Sequence, residues 1–186
     1  MRRCLLTAGA LILATGTWLP GAGAGAAAPR VTCTSLRGAL RFTPPLEMPG
    51  SSKKYITKLT VTNAVLDGCT GAPTKMAHLS FSATTKAKEN CSGMQTGYAA
   101  TGTETITWLD HSTTKVTLTV SAPQERDSLR PLLRGPVSSG LLKGSRQNAR
   151  AYLDLAPGAP TCQDRRLGAV RLHLSPDLTP KKFTIG

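Results

Sequence analysis

The three residue types of a serine hydrolase triad stand side by side in Asp110-His111-Ser112. A working triad needs side chains that converge from separate segments onto one point, with the imidazole between the nucleophile and the carboxylate. Three consecutive residues do not supply that geometry, and Asp and Ser are good turn formers. The tripeptide is therefore predicted to be the reversing turn of a β-hairpin.

Other catalytic and metal-binding patterns are equally weak. Residues 135–140 read GPVSSG, which lacks the serine spacing of a GxSxG nucleophile elbow and predicts a strand that ends in a glycine bend. A metal site built from His78, His111 and His173 would require three strands to converge, and no carboxylate is spaced to orient these rings. The ten acidic residues are scattered and identify no glycosidase pair. We expect no catalytic, cofactor-binding or metal-binding residues.

The cysteine count indicates disulfide bonds. Cys4 lies in the apolar N-terminal run, and Cys33, Cys69, Cys91 and Cys162 remain in the rest of the chain. An even count in an exported domain favours two disulfides, for which three connectivities exist. We expect Cys69–Cys91 as a local clamp and Cys33–Cys162 as a long-range link. Zinc binding would need closely spaced ligand pairs, and the sequence contains no CxxC.

The N-terminus has the three regions of a secretory signal. Arg2 and Arg3 precede an apolar run that extends to Trp18, and a tract of Gly and Ala follows at 21–28. The apolar run is interrupted by Thr and Gly and is shorter than the roughly 18 to 20 apolar residues of a membrane-spanning helix. We therefore predict a signal peptide at 1–26 and a single secreted domain at 27–186, extracellular or associated with the cell wall.

Positive charge is the strongest chemical signal of the remaining chain. The sequence has 23 Lys and Arg against 10 Asp and Glu, and removal of Arg2 and Arg3 leaves 21 against 10, a formal charge of +11. Such a surface favours polyanions through a sequence-independent, salt-sensitive attraction, unless the charge serves solubility alone. No aromatic platform accompanies it, so specific recognition of nucleic acid is not expected. The candidate polyanion-binding residues are Lys53, Lys54, Lys143, Arg146, Arg150, Arg165, Arg166, Lys181 and Lys182.

Alternation with a period of two predicts the elements that carry these residues. In 104–108 and 115–121, apolar residues fall on even positions and Thr, Lys and Ser fall mostly on odd ones, which is typical of half-buried strands. The two strands are predicted to form a hairpin with Trp108 and Val116 on its buried side. Further strands are predicted at 40–42, 55–65, 76–83, 149–155, 167–174 and 182–185, with one short helical turn at 124–133. The expected fold is an all-β, antiparallel, immunoglobulin-like sandwich of seven to ten strands.

Several segments resemble a group of small secreted proteins of actinobacteria. They are a cysteine shortly before GALRFTPPL at 38–46, GCTG at 68–71, Cys91, TITW at 105–108 and GPVSSGLLKG at 135–144. The similarity covers nearly the whole chain after the signal. It implies a secreted β-sandwich with two disulfides, and it implies no particular activity or site residue.

The sequence leaves two classes of function open. The first is a noncatalytic secreted β-sandwich that binds anionic cell-envelope polymers or a protein partner. The alternative is a small secreted hydrolase or hydrolase inhibitor. A cleft in which His, Ser and carboxylate side chains converge would favour the hydrolase, and a continuous basic face would favour the binding protein.

Overall fold

The computed structural model describes residues 30–122, 130–154, 166–174 and 182–186. Several predicted features therefore lie outside the described residues. They are the signal peptide at 1–26, Cys162, Arg165, Lys181 and most of the helical turn expected at 124–133. The strands are β1 (Val31–Cys33), β2 (Ser35–Leu46), β3 (Lys58–Asp67), β4 (Ala77–Thr85), β5 (Tyr98–Trp108), β6 (Thr113–Ala122), β7 (Leu132–Gly140), β8 (Arg146–Asp154), β9 (Leu167–Leu174) and β10 (Phe183–Ile185), and the helix α1 (Cys91–Thr96) precedes β5.

Strict alternation of buried and exposed side chains shapes the strands. In β6, Val116, Leu118 and Val120 are buried, whereas the intervening Lys and Thr residues face outward. β5 pairs with β6 along ten residues, and the connection between them spans 109–112. The predicted hairpin is confirmed, and both Trp108 and Val116 are buried as expected.

The sheet closes into a barrel. Each strand from β2 to β8 pairs antiparallel with the next, β8 pairs with β9, and β9 pairs back with β2, so that eight strands form a ring. The predicted all-β antiparallel class is confirmed, but this ring differs from the expected two-layer sandwich. Alternation shows that one face of each strand is buried, and it is the same whether two sheets face each other or one sheet curls until its edges meet.

Two short pieces of chain share the eighth position of the ring. β8 pairs with β9 through residues 151–154 and with β10 through Gln147 and Asn148. On the other side, β9 pairs with β2, whereas β10 pairs with β1. β9 and β10 therefore lie end to end between β8 and the nearly continuous β1–β2 strand.

Side chains fill the barrel interior. Leu, Val, Ala, Phe and Ile from the inner faces of all ten strands form one buried cluster that also includes Trp108. Gly102 and Gly135 let neighbouring strands approach, because a Cβ at either position would lie 1.9 Å from a main-chain oxygen of the preceding strand. Glycines of this kind permit the bending that closes a small barrel.

The described disulfide differs from both disulfides expected from the sequence. Cys33 at the end of β1 is bonded to Cys69, just after β3. Backbone hydrogen bonds between Thr32 and Thr70 hold the two segments side by side. The expected Cys33–Cys162 and Cys69–Cys91 bonds are therefore wrong. Cys91 is also disulfide-bonded, and its partner lies outside the described residues.

The helix α1 was not predicted from the sequence. Asn90 caps it, with its side-chain oxygen accepting a hydrogen bond from the backbone N–H of Gly93. With six residues, α1 is too short to give a periodic apolar stripe. Within the described ranges, no helix has the length and apolar character needed to cross a membrane.

Candidate anion-binding groove

A groove of about 530 Å³ opens on the outer surface of the barrel, where β7, β8 and β10 lie side by side. Its lining combines three arginines with three polar residues, one leucine and one glycine. The lining residues are Arg30, Leu132, Arg134, Arg146, Gln147, Asn148, Thr184 and Gly186.

Strand register positions the polar residues of the groove. Arg134 on β7 is the cross-strand partner of Asn148 on β8, and Asn148 is the partner of Thr184 on β10. All three side chains point away from the barrel interior. Since neighbouring strands are about 4.8 Å apart, this polar row crosses roughly 10 Å of surface. Arg146 lies two residues before Asn148 and is thus diagonal to Arg134.

Positive charge dominates the groove. Arg30, Arg134 and Arg146 are exposed, and none of the described residues that line the groove is acidic. Within the part of the chain that the structure describes, none of these three arginines forms an ion pair. The three guanidinium groups therefore give the described part of the groove an excess of positive charge.

The positive surface extends beyond the groove along β8. Arg150 also faces outward, and its Nε atom is buried without a hydrogen-bond partner. Extending the register of β10 and β8 by two residues from the Thr184–Asn148 pair places Lys182 opposite Arg150. The groove arginines, Arg150 and Lys182 together are called the basic face below.

Beneath the groove, the side chains of Gln147 and Glu104 form a hydrogen-bonded pair in the barrel interior. Gln147 lines the groove from β8, and its side chain is buried. The amide Nε2 of Gln147 donates a hydrogen bond of 3.0 Å to the carboxyl Oε2 of Glu104 on β5. Glu104 is 1% exposed. Burial raises the pKa of Glu104 to about 7, against the opposing effect of the hydrogen bond from Gln147.

Two unpartnered oxygens indicate the protonation state of this pair. Glu104 Oε1 and Gln147 Oε1 are both buried, and neither has a hydrogen-bond partner among the described residues. A proton on Glu104 Oε1 would turn one of these two acceptors into a donor. A neutral carboxyl also avoids the cost of a charge in an apolar interior. The neutral form therefore suits this position better than the carboxylate.

The structure separates the predicted polyanion-binding residues. Arg146, Arg150 and Lys182 share the basic face, and Lys143 is exposed in the turn between β7 and β8. Lys53 and Lys54 lie in the β2–β3 connection, at the opposite end of the barrel.

Nearby acids offset part of the charge outside the basic face. The Nε atom of Arg166 lies 3.0 Å from a carboxylate oxygen of Glu47. Lys54 lies close enough to Glu89 that its ammonium partly opposes the burial that raises the pKa of this carboxyl. Neither cation is therefore as available to a ligand as the groove arginines.

Sequence patterns missed two of the groove arginines. Arg134 lies on β7, of which the sequence predicted only a strand at 135–140 that ends in a glycine bend. Gly135 and Pro136 are uncommon in strand interiors. Arg30 directly precedes β1, a strand too short to show alternation. Neither residue stands in a run of charges, so only the paired strands bring them together with Arg146.

The Asp110-His111-Ser112 segment is a turn, as predicted. Asp110 Oδ1 accepts hydrogen bonds from the Ser112 hydroxyl at 2.6 Å and from the Ser112 backbone N–H at 3.0 Å. These bonds lower the pKa of Asp110. His111 has a φ of 67°. The serine hydroxyl therefore bonds the carboxylate directly, without an imidazole between them.

The remaining histidines lie on the outer faces of separate strands. His78 is exposed on β4, and His173 on β9 packs edge-on against Tyr152 with ring centroids 4.8 Å apart. Arg130 approaches the same tyrosine, at 5.5 Å from its ring centroid. Across the described residues, no group of three or more His, Cys, Asp and Glu side chains is placed to hold a metal ion.

Comparison with known proteins adds no relative whose activity could be transferred to the groove. No family model matches the chain, and neither the curated proteins nor the solved structures include a match.

Proposed function

We propose that the protein is a secreted, noncatalytic binding domain that holds anionic polymers of the extracellular space or cell wall on its basic face. The observation that carries the proposal is the groove, where three arginines line one cavity and the described lining residues include no acidic side chain. The N-terminal signal pattern and the resemblance to small secreted proteins of actinobacteria support the compartment.

The physical basis of binding is electrostatic. A polyanion that replaces its counterions with protein cations gains free energy from the released ions, and this gain falls as salt is added. Arginine is well suited to the role, because its planar guanidinium donates paired hydrogen bonds to phosphate, sulfate or carboxylate oxygens. The barrel strands fix the backbone positions of Arg134 and Arg146, so binding has to order only their side chains.

The test is retention of the mature domain on heparin and on purified wall polymer while salt rises from about 50 to 200 mM. The double variant Arg134→Gln, Arg146→Gln should elute at clearly lower salt than the wild type. A matched double variant, Arg37→Gln, Arg41→Gln, removes two exposed charges from β2. It should elute close to the wild type.

Two outcomes would contradict the proposal. Equal shifts for the two double variants would mean that dispersed net charge, and not the basic face, governs retention. Elution of the wild type together with a neutral domain of similar size would mean that the charge serves solubility alone. Far-UV circular dichroism of each variant checks that the barrel is intact.

A protein partner with an acidic surface would use the same cations, and a pull-down from culture supernatant on immobilised domain would detect it. The described residues give no observation that favours the alternative hydrolase or hydrolase inhibitor.

A further inference from the structure

We infer that the groove binds a phosphate monoester of a hydroxylated carbon skeleton, such as a polyol phosphate or a sugar phosphate. The inference rests on the proposed function and names the ligand chemistry of the same site. It follows from the number of guanidinium groups, from the hydrogen-bonding state of the polar row, and from the volume of the groove.

The number of guanidinium groups favours a phosphate monoester over a carboxylate. Each guanidinium presents a planar fork of N–H groups that suits two oxygens of one anion. Arg134 and Arg146 come from adjacent strands, and Arg30 precedes β1 beyond β10, so three separate segments of the chain each contribute one guanidinium to the groove. A monoester offers three oxygens and nearly two negative charges at pH 7, whereas a carboxylate has two oxygens and one charge.

The polar row favours hydroxyl groups on the ligand. The Thr184 hydroxyl donates its proton to the backbone oxygen of Asn148 at 3.0 Å. The oxygen of Thr184 is then left as an acceptor beside the groove, where a hydroxyl group of a ligand can donate to it. The side-chain amide of Asn148 can both donate and accept. A hydroxylated skeleton attached to the phosphate supplies such groups, and an apolar ester does not.

The volume of the groove is larger than one inorganic ion requires. At about 530 Å³ it falls within the usual size of small-molecule sites, roughly 300 to 1,000 Å³. Leu132 gives the lining an apolar portion against which a carbon skeleton can pack. A compact polyol phosphate, free or at the end of a polymer, therefore matches the groove better than inorganic phosphate alone.

Calorimetric titration at low salt with four probes tests the inference: glycerol 3-phosphate, inorganic phosphate, glycerol and glucuronate. Glycerol 3-phosphate should bind most tightly, followed by inorganic phosphate, and glycerol should not bind measurably. The Arg134→Lys variant keeps the charge but loses the fork, so its affinity for glycerol 3-phosphate should fall about tenfold. Arg41→Lys, the matched control on β2, should bind like the wild type.

A second variant tests the hydroxyl contact separately. Thr184→Val keeps the shape of the side chain and removes its oxygen. It should weaken binding of glycerol 3-phosphate severalfold and leave inorganic phosphate unchanged. Equal affinities of the wild type for the two probes, with no effect of Thr184→Val, would overturn the assignment of a hydroxylated ligand.

Heparin retention separates failure of this inference from failure of the proposed function. Normal retention without calorimetric binding of glycerol 3-phosphate would overturn the inference and leave polyanion binding in place. Binding of glycerol 3-phosphate without heparin retention would support the site and refute the polymer function. Elution of the protein from wall polymer by glycerol 3-phosphate would identify the polymer end as a source of the ligand, whereas binding without such elution would indicate a free polyol phosphate.

Discussion

Replacing Glu104 with Gln should change how the stability of the barrel depends on pH. In the folded protein, burial raises the pKa of Glu104 from 4.5 to about 7. Between these two values the folded state keeps a proton that the unfolded chain releases. The free energy of unfolding must therefore fall as pH rises through this window, and level off above about pH 7.

The magnitude follows from the two pKa values. At 1.36 kcal/mol for each pH unit, the difference between 4.5 and about 7 corresponds to about 3 kcal/mol of lost stability. Most of this loss should occur between pH 5 and 8. The Glu104→Gln variant has no proton to release and keeps an amide that can pair with Gln147. It should be the more stable protein at pH 8, and its advantage should shrink towards pH 5.

The assay is urea unfolding of the mature domain at pH 5, 6, 7 and 8, followed by fluorescence. Trp108 is the only tryptophan in residues 27–186 and is buried, so it reports loss of the barrel core. Asp110→Asn provides a control, because the lowered pKa of Asp110 keeps its carboxyl ionised throughout this range. Its stability curve should run parallel to that of the wild type. A parallel curve for Glu104→Gln as well would refute the assignment of a neutral buried carboxyl.

Three further predictions concern the Cys33–Cys69 disulfide, the close approach of strands at Gly102 and the export of the protein. Replacing Cys33 and Cys69 with Ala should lower the free energy of unfolding by about 4 kcal/mol, since the bond closes a loop over a separation of 36 residues; an unchanged urea midpoint would contradict this. Gly102→Ala should lower the thermal midpoint of unfolding, because the added Cβ would lie 1.9 Å from a main-chain oxygen of β4. A midpoint equal to that of the wild type would mean that β4 and β5 can move apart with no loss of stability. N-terminal sequencing of the exported product should begin near Ala27, whereas an intact initiator methionine would rule out cleavage of the predicted signal.

Local features of the fold were predictable from the sequence, and its closure was not. The β5–β6 hairpin follows from alternation and from the turn chemistry of Asp110 and Ser112, which depend on residues close in sequence. Pairing of β9 with β2 joins residues more than 120 positions apart, and nothing in either strand alone specifies it. The disulfide connectivity was predicted wrongly for the same reason. Cys69 comes close to Cys33 only when β3 pairs antiparallel with β2.

The residues of the candidate site differ in how far the sequence predicts their positions. Glu104 occupies an even position in register with Ile106 and Trp108, so its place on the buried face was implied by the pattern that predicted the strand. The grouping of Arg30 with Arg134 had no such signal. It depends on β10 lying between β1 and β8, a neighbourhood created by the tertiary fold.

The split eighth position of the ring has a consequence for the order of folding. Before β9 and β10 are present, the meander from β1 to β8 is an open sheet with two unpaired edges, one on β1–β2 and one on β8. Open edges of this kind can pair with other chains. The strands that cover them, β9 and β10, follow β8 in the sequence and lie within residues 167–186. The barrel therefore cannot close before this segment has been synthesised, and until then the two open edges of the nascent chain must be kept from pairing with other chains.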